Sequence, residues 1–399
     1  MSDLVDLTIG APAHGGHCVA RLDGRVVFVR HALPGETVRA RLTESGEDAK
    51  LWRADAVEII EPSPDRVPSV WPEAGPGGVG GGELAHVSLA GQLAWKESVL
   101  RESFERFAKA PFPGVVAQVP GDAESGGLRY RTRVSATADS EGRASMAVHR
   151  SRDLRALESM PLATEAVEEA LLGNRFPAGA RVSIAQGSDG VTRTMVNGKP
   201  WHNGRADSRK NAARTVRQDV RAGDELAQFR VSADGFWQVH RGAAQLLVDT
   251  VLDAVGEAAR VADLYAGAGL FSLPLAMTGR DVISIESDAQ ASRAAKRNCH
   301  HYPQVDVVHG DVRRELSRGI GPVDAVVLDP PRSGAGAKTL ELVGAVRANH
   351  LVYVACDPVA LARDTAILAT LGYALVRAEA VDLFPMTHHM ETIATFERR

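Results

Sequence analysis

RVADLYAGAGLFSLPLA, Arg260–Ala276, is a short apolar run that breaks at Gly267 and Gly269 and resumes at helical spacing. It reads as a strand, a tight turn and a helix. Glycines in the turn let a ligand approach the backbone beside the helix N-terminus. Four more apolar runs follow at regular intervals: DVISIE, VDVVHG, DAVVLD and HLVYVA. The segments between them suit helices, which predicts an α/β fold with a parallel, doubly wound sheet. Ligands of such sheets bind beyond the carboxyl ends of the strands.

Chemistry-bearing residues fall at those ends. Glu286 closes ISIESD, seventeen residues after Gly269, where a carboxylate can accept from both hydroxyls of a ribose. Asp311 closes HGD and could meet an adenine edge; for both carboxylates a helix N-cap is the alternative. LDPPRSG, Leu328–Gly334, stiffens the backbone after Asp329 with two prolines and carries Arg332. YVACDP, Tyr353–Pro358, places Cys356 between a buried strand and a loop. A small buried cysteine would explain it locally. Sheet topology instead puts Cys356 in one crevice with Asp329, Glu286 and the glycine turn. In VDLFPMTHHMETIATFE, Pro385 ends one strand and METIATFE alternates as another, with Glu391 near its start. His388, His389 and Glu391 lack further ligands at useful spacing, so no metal is expected.

The rest of the 399 residues is organised differently. Lys+Arg number 46 against 50 Asp+Glu, a formal −4, which excludes a strongly basic coat but not a local basic face. Three cysteines, Cys18, Cys299 and Cys356, make no disulfide framework, so a reducing cytoplasm is expected. MSDLVDLTIG has no signal-peptide pattern, and no apolar stretch is long enough to span a bilayer. Five short strands fill the first sixty residues, with an Asp-Gly hairpin turn in LDGR, and predict a small closed barrel. EPSPDRVPS, Glu61–Ser69, reads as a linker, WPEAGPGGVGGGELAH as an irregular loop, and Gln92–Ala110 as an amphipathic helix. RYRTRV places Arg129, Arg131 and Arg133 on one face of a strand, facing phosphates or only solvent.

DPPRSG, YVACDP and FPMTHHME, in this order and spacing, resemble the S-adenosylmethionine-dependent RNA 5-methyluridine methyltransferases. The resemblance is most specific from FWQ at Phe236 to Glu391. It implies that Cys356 is the nucleophile and Glu391 the base. Cofactor contacts would fall to Gln238, Tyr265, Gly267, Gly269, Glu286, Asp311 and Asp329. The N-terminal barrel is similar to the TRAM domain, an OB-like RNA-binding module. The implied organisation is a barrel over 1–62, a mixed α+β middle domain over 63–232 and a Rossmann-like methyltransferase domain over 233–399. Many relatives hold an iron–sulfur cluster on four cysteines at the start of the middle domain; with none in WPEAGPGGVGGGELAH, no cluster is expected. Ala355, Asp357, Met386 and His240 stand where the family commonly has serine, asparagine, glutamine and asparagine.

The implied chemistry suits the residue types. Carbon 5 of uracil is a poor nucleophile until a thiolate adds at carbon 6, and a base must later remove the carbon-5 proton. The expected substrate is RNA, ribosomal over transfer RNA, and the expected protein is a cytoplasmic monomer without membrane association. An RNA 5-methylcytosine methyltransferase is the nearest rival, but it would usually carry a second cysteine where Arg332 stands. An inactive RNA-binding relic leaves Cys356 and Glu391 without purpose. A nicotinamide dehydrogenase would explain Glu286 and the glycines alone.

Overall fold

The computed structural model of the chain describes residues 4–46 and 49–399. Strands Leu4–Ala13, His17–Leu22, Arg25–Arg30, Thr37–Glu44 and Trp52–Glu61 form a closed barrel. The Asp-Gly hairpin is as expected: Asp23 and Gly24 both have positive φ, 49° and 81°, and Leu22 pairs Arg25. Closure depends on a parallel pairing of the third and fifth strands. Alternation sends Val27, Val29, Val38, Ala40, Ala54 and Ala56 inward. Four residues from outside the barrel, Leu84, Val87, Trp95 and Val99, complete its core.

Glu61–Ser69 is less free than a linker. The Arg66 guanidinium donates to Glu36 at 2.5 and 2.7 Å, and Glu36 is fully buried in the barrel. Glu36 also accepts from the Leu33 and Ser63 backbone N–H groups, so the exit from the barrel is strapped down. In the glycine-rich segment, the Glu73 carboxylate accepts from Glu158 and Ser159 of the next region. A Cβ on Gly82 would lie 2.9 Å from the Trp71 ring, so only glycine fits there.

The middle region carries a seven-stranded antiparallel sheet, with Arg181–Gln186 at its centre and helix Glu165–Leu172 packed on it. The expected arginine row does not form. Arg129 has φ +58° and pairs with Glu168, so the strand starts only at Arg133. Arg133 is buried and donates to the carbonyls of Ser232 and Gly235.

The C-terminal sheet has eight strands. Val305–His309, Asp281–Glu286, Arg260–Leu264, Ala325–Leu328 and His350–Ala355 are adjacent and parallel, in that order. Glu391–Arg398 follows antiparallel to both of its neighbours, His350–Ala355 and Tyr373–Asp382. Val116–Gln118, from far upstream, forms the edge. Successive residues face opposite cores: Val261 and Val327 on one side, Ala262, Leu264, Val326 and Leu328 on the other. Packing crosses residue 232, since Val220, Phe229 and Val231 join the first core and Leu100, Phe104 and Phe112 the second. Strand order reverses between Arg260–Leu264 and Ala325–Leu328, so the crevice opens between the glycine turn and Asp329. No helix among the described residues is long and apolar enough to cross a membrane.

Helix Leu89–Ser103 joins these parts. Lys96, fully buried, donates to Asp382 at 2.5 Å and to the Phe384 carbonyl at 3.2 Å. Removing one partner of such a pair strands the other charge out of water. Lys96→Met is expected to lower stability by about 3–5 kcal/mol. Arg101→Ala, which breaks a surface pair with Glu97 one turn earlier, should cost only about 0.5 kcal/mol. Thermal unfolding of the two variants checks the contrast.

Candidate active site

Gln238, Tyr265, Gly267, Glu286, Asp329, Cys356 and Glu391 all line one cavity of about 990 Å³ at the crevice. Tyr265 has φ +63° and Gly267 φ +57°, a sharp turn that brings the chain back under the cavity. Nothing lies within 4 Å of where a Gly267 Cβ would be, so the backbone is open to a ligand. The Glu286 carboxylate accepts from the Gly267 N–H at 2.9 Å and the Asp288 N–H at 2.5 Å. Two oxygens with about four acceptor sites still leave capacity for ribose hydroxyls. Gly269 and Asp311 do not line the cavity. Gly269 packs against Ala295 and Cys299, and Asp311 caps helix Val312–Arg318 by accepting from Arg314 N–H at 3.0 Å.

Carboxyl groups crowd the far wall. Burial pushes Asp329 up to about 7, and Asp263 behind it adds repulsion. Burial likewise lifts Asp263 to about 7 although Ser272 donates to it. Burial and then Asp329 raise Glu391 well above the usual carboxyl range, with Arg332 opposing. The Cys356 thiol is pushed up to about 12, by burial first, then Glu391 and Asp329; Arg332 again opposes. These shifts link the four groups electrostatically. Cys18 and Cys299 are fully packed, so Cys356 is the accessible thiol.

Glu391 opens the final strand, as its alternation predicted. The loop before it is held by residues distant in sequence. Gln92 accepts from the Met386 N–H at 2.7 Å and donates to the Met386 sulfur at 3.2 Å. Tyr130 donates to the Pro385 carbonyl at 3.0 Å, and the Leu84 N–H donates to the Met386 carbonyl. Met386 thus fills a structural position, with φ +66°. His388 turns toward Glu83, 3.5 Å away, and His389 toward Arg332, 3.4 Å away, where it lines the same cavity as Glu391. His240 is buried beside Tyr130. Its Nδ1 accepts from Gly242 N–H, so the proton sits on Nε2, which donates to Asp122 at 3.0 Å. Asp122 and Lys96 had no sequence signal, being single polar residues in a loop and a helix. Phe236, 77% exposed, and Arg131 complete the mouth.

Fold and crevice together define a methyltransferase of the Rossmann-like class that uses S-adenosylmethionine. Residues 321–399 match the tRNA (Uracil-5-)-methyltransferase family, 237–349 the methyltransferase small domain and 4–48 the TRAM domain. The chain is 40% identical to a Bifidobacterium longum protein named an uncharacterized RNA methyltransferase, covering 97% of this chain and 95% of that one. It is 29% identical to a Shewanella baltica 23S rRNA (uracil(1939)-C(5))-methyltransferase, over 100% and 96%. The Pyrococcus abyssi tRNA (uracil-54, C5)-methyltransferase, solved with S-adenosyl-L-homocysteine, shares the fold. Its TM-score is 0.71 at 19% identity, over 98% of this chain and 100% of that one. The chain belongs to the S-adenosylmethionine-dependent RNA methyltransferases, with the domain of the uracil-5-methyltransferase family at its C-terminal end.

The raised carboxyls predict a pH effect. A carboxyl whose folded pKa exceeds its unfolded value of about 4.3 contributes stability fully below that pH. That contribution is lost as pH rises through the folded value. Glu391→Gln keeps the shape and removes the charge. Its melting temperature should match wild type near pH 4 and exceed it at pH 8. Melting curves across that range check this, and a pH-independent difference would contradict the assignment.

Proposed function

We propose that the protein methylates carbon 5 of a uridine in 23S ribosomal RNA through a covalent adduct between Cys356 and the base. What supports this reading above all is that an accessible thiol, a buried carboxyl with raised pKa and a ribose-capable carboxylate open into one cavity. The ribosomal preference follows the Shewanella baltica relative's named substrate. Gly267 and Glu286 would hold the ribose side of the cofactor, with Gln238, Tyr265 and Asp329 beside it. S-adenosylmethionine bound there supplies a sulfonium methyl group, which carbon 5 takes up as nucleophile.

Cys356 makes that carbon reactive. The Cys356 thiol gives its proton to solvent, its sulfur adds to carbon 6, and the electron pair of the ring double bond moves toward carbon 5 and the carbonyl oxygen at carbon 4. A thiol near 12 holds its proton until the base is in place, and Arg332 is the group that favours the thiolate. Glu391 then takes the carbon-5 proton as the sulfur–carbon 6 bond breaks, returning the pair to the ring. A carboxylate with raised pKa is a stronger base than an ordinary one, which suits a carbon acid. The uridine reaches the site flipped from its stack, at a cost of about a few kcal/mol.

RNA carrying 5-fluorouridine at the target should be captured covalently in the presence of S-adenosylmethionine, because fluorine cannot leave as a proton does. Cys356→Ala should abolish capture. Glu391→Gln should accumulate RNA-linked protein with natural substrate on a denaturing gel. Preferential capture of 5-fluorocytidine would point to the cytosine rival, and capture of neither to an inactive relic. Trapping 23S fragments against transfer RNA tests the substrate.

The barrel is a second RNA contact in this reading. Arg21, Arg25 and Arg41 are exposed on it, and Arg25 lies over the Trp52 ring at 5.1 Å. Arg21→Glu with Arg25→Glu should weaken RNA binding and flatten its salt dependence, since phosphate contacts release counterions. Affinity for S-adenosylmethionine should not change. Filter binding over a salt series measures the first and calorimetry the second.

A further inference from the structure

The barrel reaches the active site through one hairpin. The turn between its first two strands, His14–Gly16, projects against the loops that carry Cys356 and Glu391. His14 Nε2 lies 3.1 Å from Asp357 Oδ2, with the His14 side chain 43% and the Asp357 side chain 20% exposed. The other Asp357 oxygen, Oδ1, accepts from the Ala360 N–H at 2.8 Å and caps helix Pro358–Thr370. Asp357 is therefore held from both sides, immediately after Cys356. Its neighbour in the hairpin, Gly16, approaches so closely that a Cβ there would lie 3.1 Å from His388 Nδ1 and from the Glu83 side chain. With φ +78°, Gly16 also takes a backbone form that glycine favours. The His14 ring meets the His388 ring edge-on, with centroids 6.2 Å apart. One hairpin tip thus touches both loops, while His14 itself does not line the cavity.

The charge at Asp357 makes this contact matter. Burial acts to raise the Asp357 pKa, but the His14 and Ala360 hydrogen bonds outweigh it and hold the group below its usual value. A carboxylate kept ionised next to Cys356 opposes loss of the thiol proton. A donor on its outer oxygen draws that charge away from the sulfur and fixes the turn that presents it.

We propose that His14 is a positioning residue for Cys356, so that the barrel sets the reactivity of the thiol as well as the hold on RNA. The proposal rests on Cys356 being the nucleophile. Nε2 donates to Asp357, Asp357 holds the Cys356–Pro358 turn against its helix, and the thiol faces the crevice at a set distance from Glu391. A barrel displaced from this seat leaves RNA able to dock but slows the sulfur–carbon step.

The test is the rate of covalent capture of 5-fluorouridine RNA at saturating RNA and S-adenosylmethionine, with RNA affinity measured in parallel. His14→Ala should slow capture about tenfold, the scale of one charge-assisted hydrogen bond. RNA affinity should stay within about twofold, a change of only about 0.4 kcal/mol. His14→Gln, which retains an N–H donor, should recover most of the rate. Capture by His14→Ala at the wild-type rate would overturn the proposal. So would a loss of RNA affinity with an unchanged rate at saturation, which would make the hairpin an RNA contact only. Failure of the glutamine rescue would also overturn it, since the donor would not be what acts. Capture persisting in Cys356→Ala would instead remove the nucleophile assignment itself, whatever His14 does.

Discussion

A fully buried ammonium organises this molecule. Lys96 donates to Asp382 and to the Phe384 carbonyl, at the end of the strand that leads into FPMTHHME. Without a charge partner, burial would drive the proton off; with Asp382 the pair tolerates exclusion from water only in one geometry. One turn earlier on the same helix face, Gln92 brackets Met386. The helix start is fixed too: Ser88 accepts from Gly91 N–H and donates to Asp65. Gly91 is close enough to Asp65 that a Cβ would lie 2.9 Å from its side chain. Helix Leu89–Ser103 thus sends Trp95 and Val99 into the barrel core and Leu100 into the sheet core. Gln92 and Lys96 go to the 382–386 loop.

That arrangement explains how the crevice tolerates its own chemistry. Asp263, Asp329 and Glu391 repel one another in a site that already penalises charge, so ionising one makes ionising the next harder. Such a cluster persists only where the surrounding backbone cannot relax away from it. Here the two prolines after Asp329, the clamped 382–386 loop and the capped helix after Cys356 supply that stiffness. The same crowding lifts Cys356 and Glu391 together, which suits their proposed roles as reserved thiol and as base toward a carbon acid.

Strand ends were the legible part of the sequence. A glycine turn, an acidic strand end, DPPRSG and YVACDP need only sheet topology to converge, because parallel strands deliver their carboxyl ends to one side; FPMTHHME joins them because the antiparallel last strand starts there. Asp311 shows the limit: a strand followed by an acid also makes a helix cap, and Asp311 caps helix Val312–Arg318. The arginine row failed for a related reason. Alternation presumes extended backbone, and Arg129 is left-handed, with its side chain paired to Glu168 in the helix behind it. Lys96, Gln92 and Asp122 could not be read at all. A lone polar residue on an apolar helix or in a loop looks like surface until its partner, more than 100 residues away, is known.

The barrel was legible as a closed sheet but not as part of the enzyme's frame. Its strands alternate correctly, yet its core is finished by Leu84, Val87, Trp95 and Val99, none of them in a barrel strand. A small barrel buries a modest fraction of its surface, so borrowing a helix face stabilises it and removes its freedom to swing. Arg66 bound to buried Glu36 closes the remaining joint. An RNA-binding module mounted this way presents its outer strands at a fixed offset from the crevice. If the barrel binds RNA as proposed, that offset would select among RNAs by the distance between a docking segment and a flipped base.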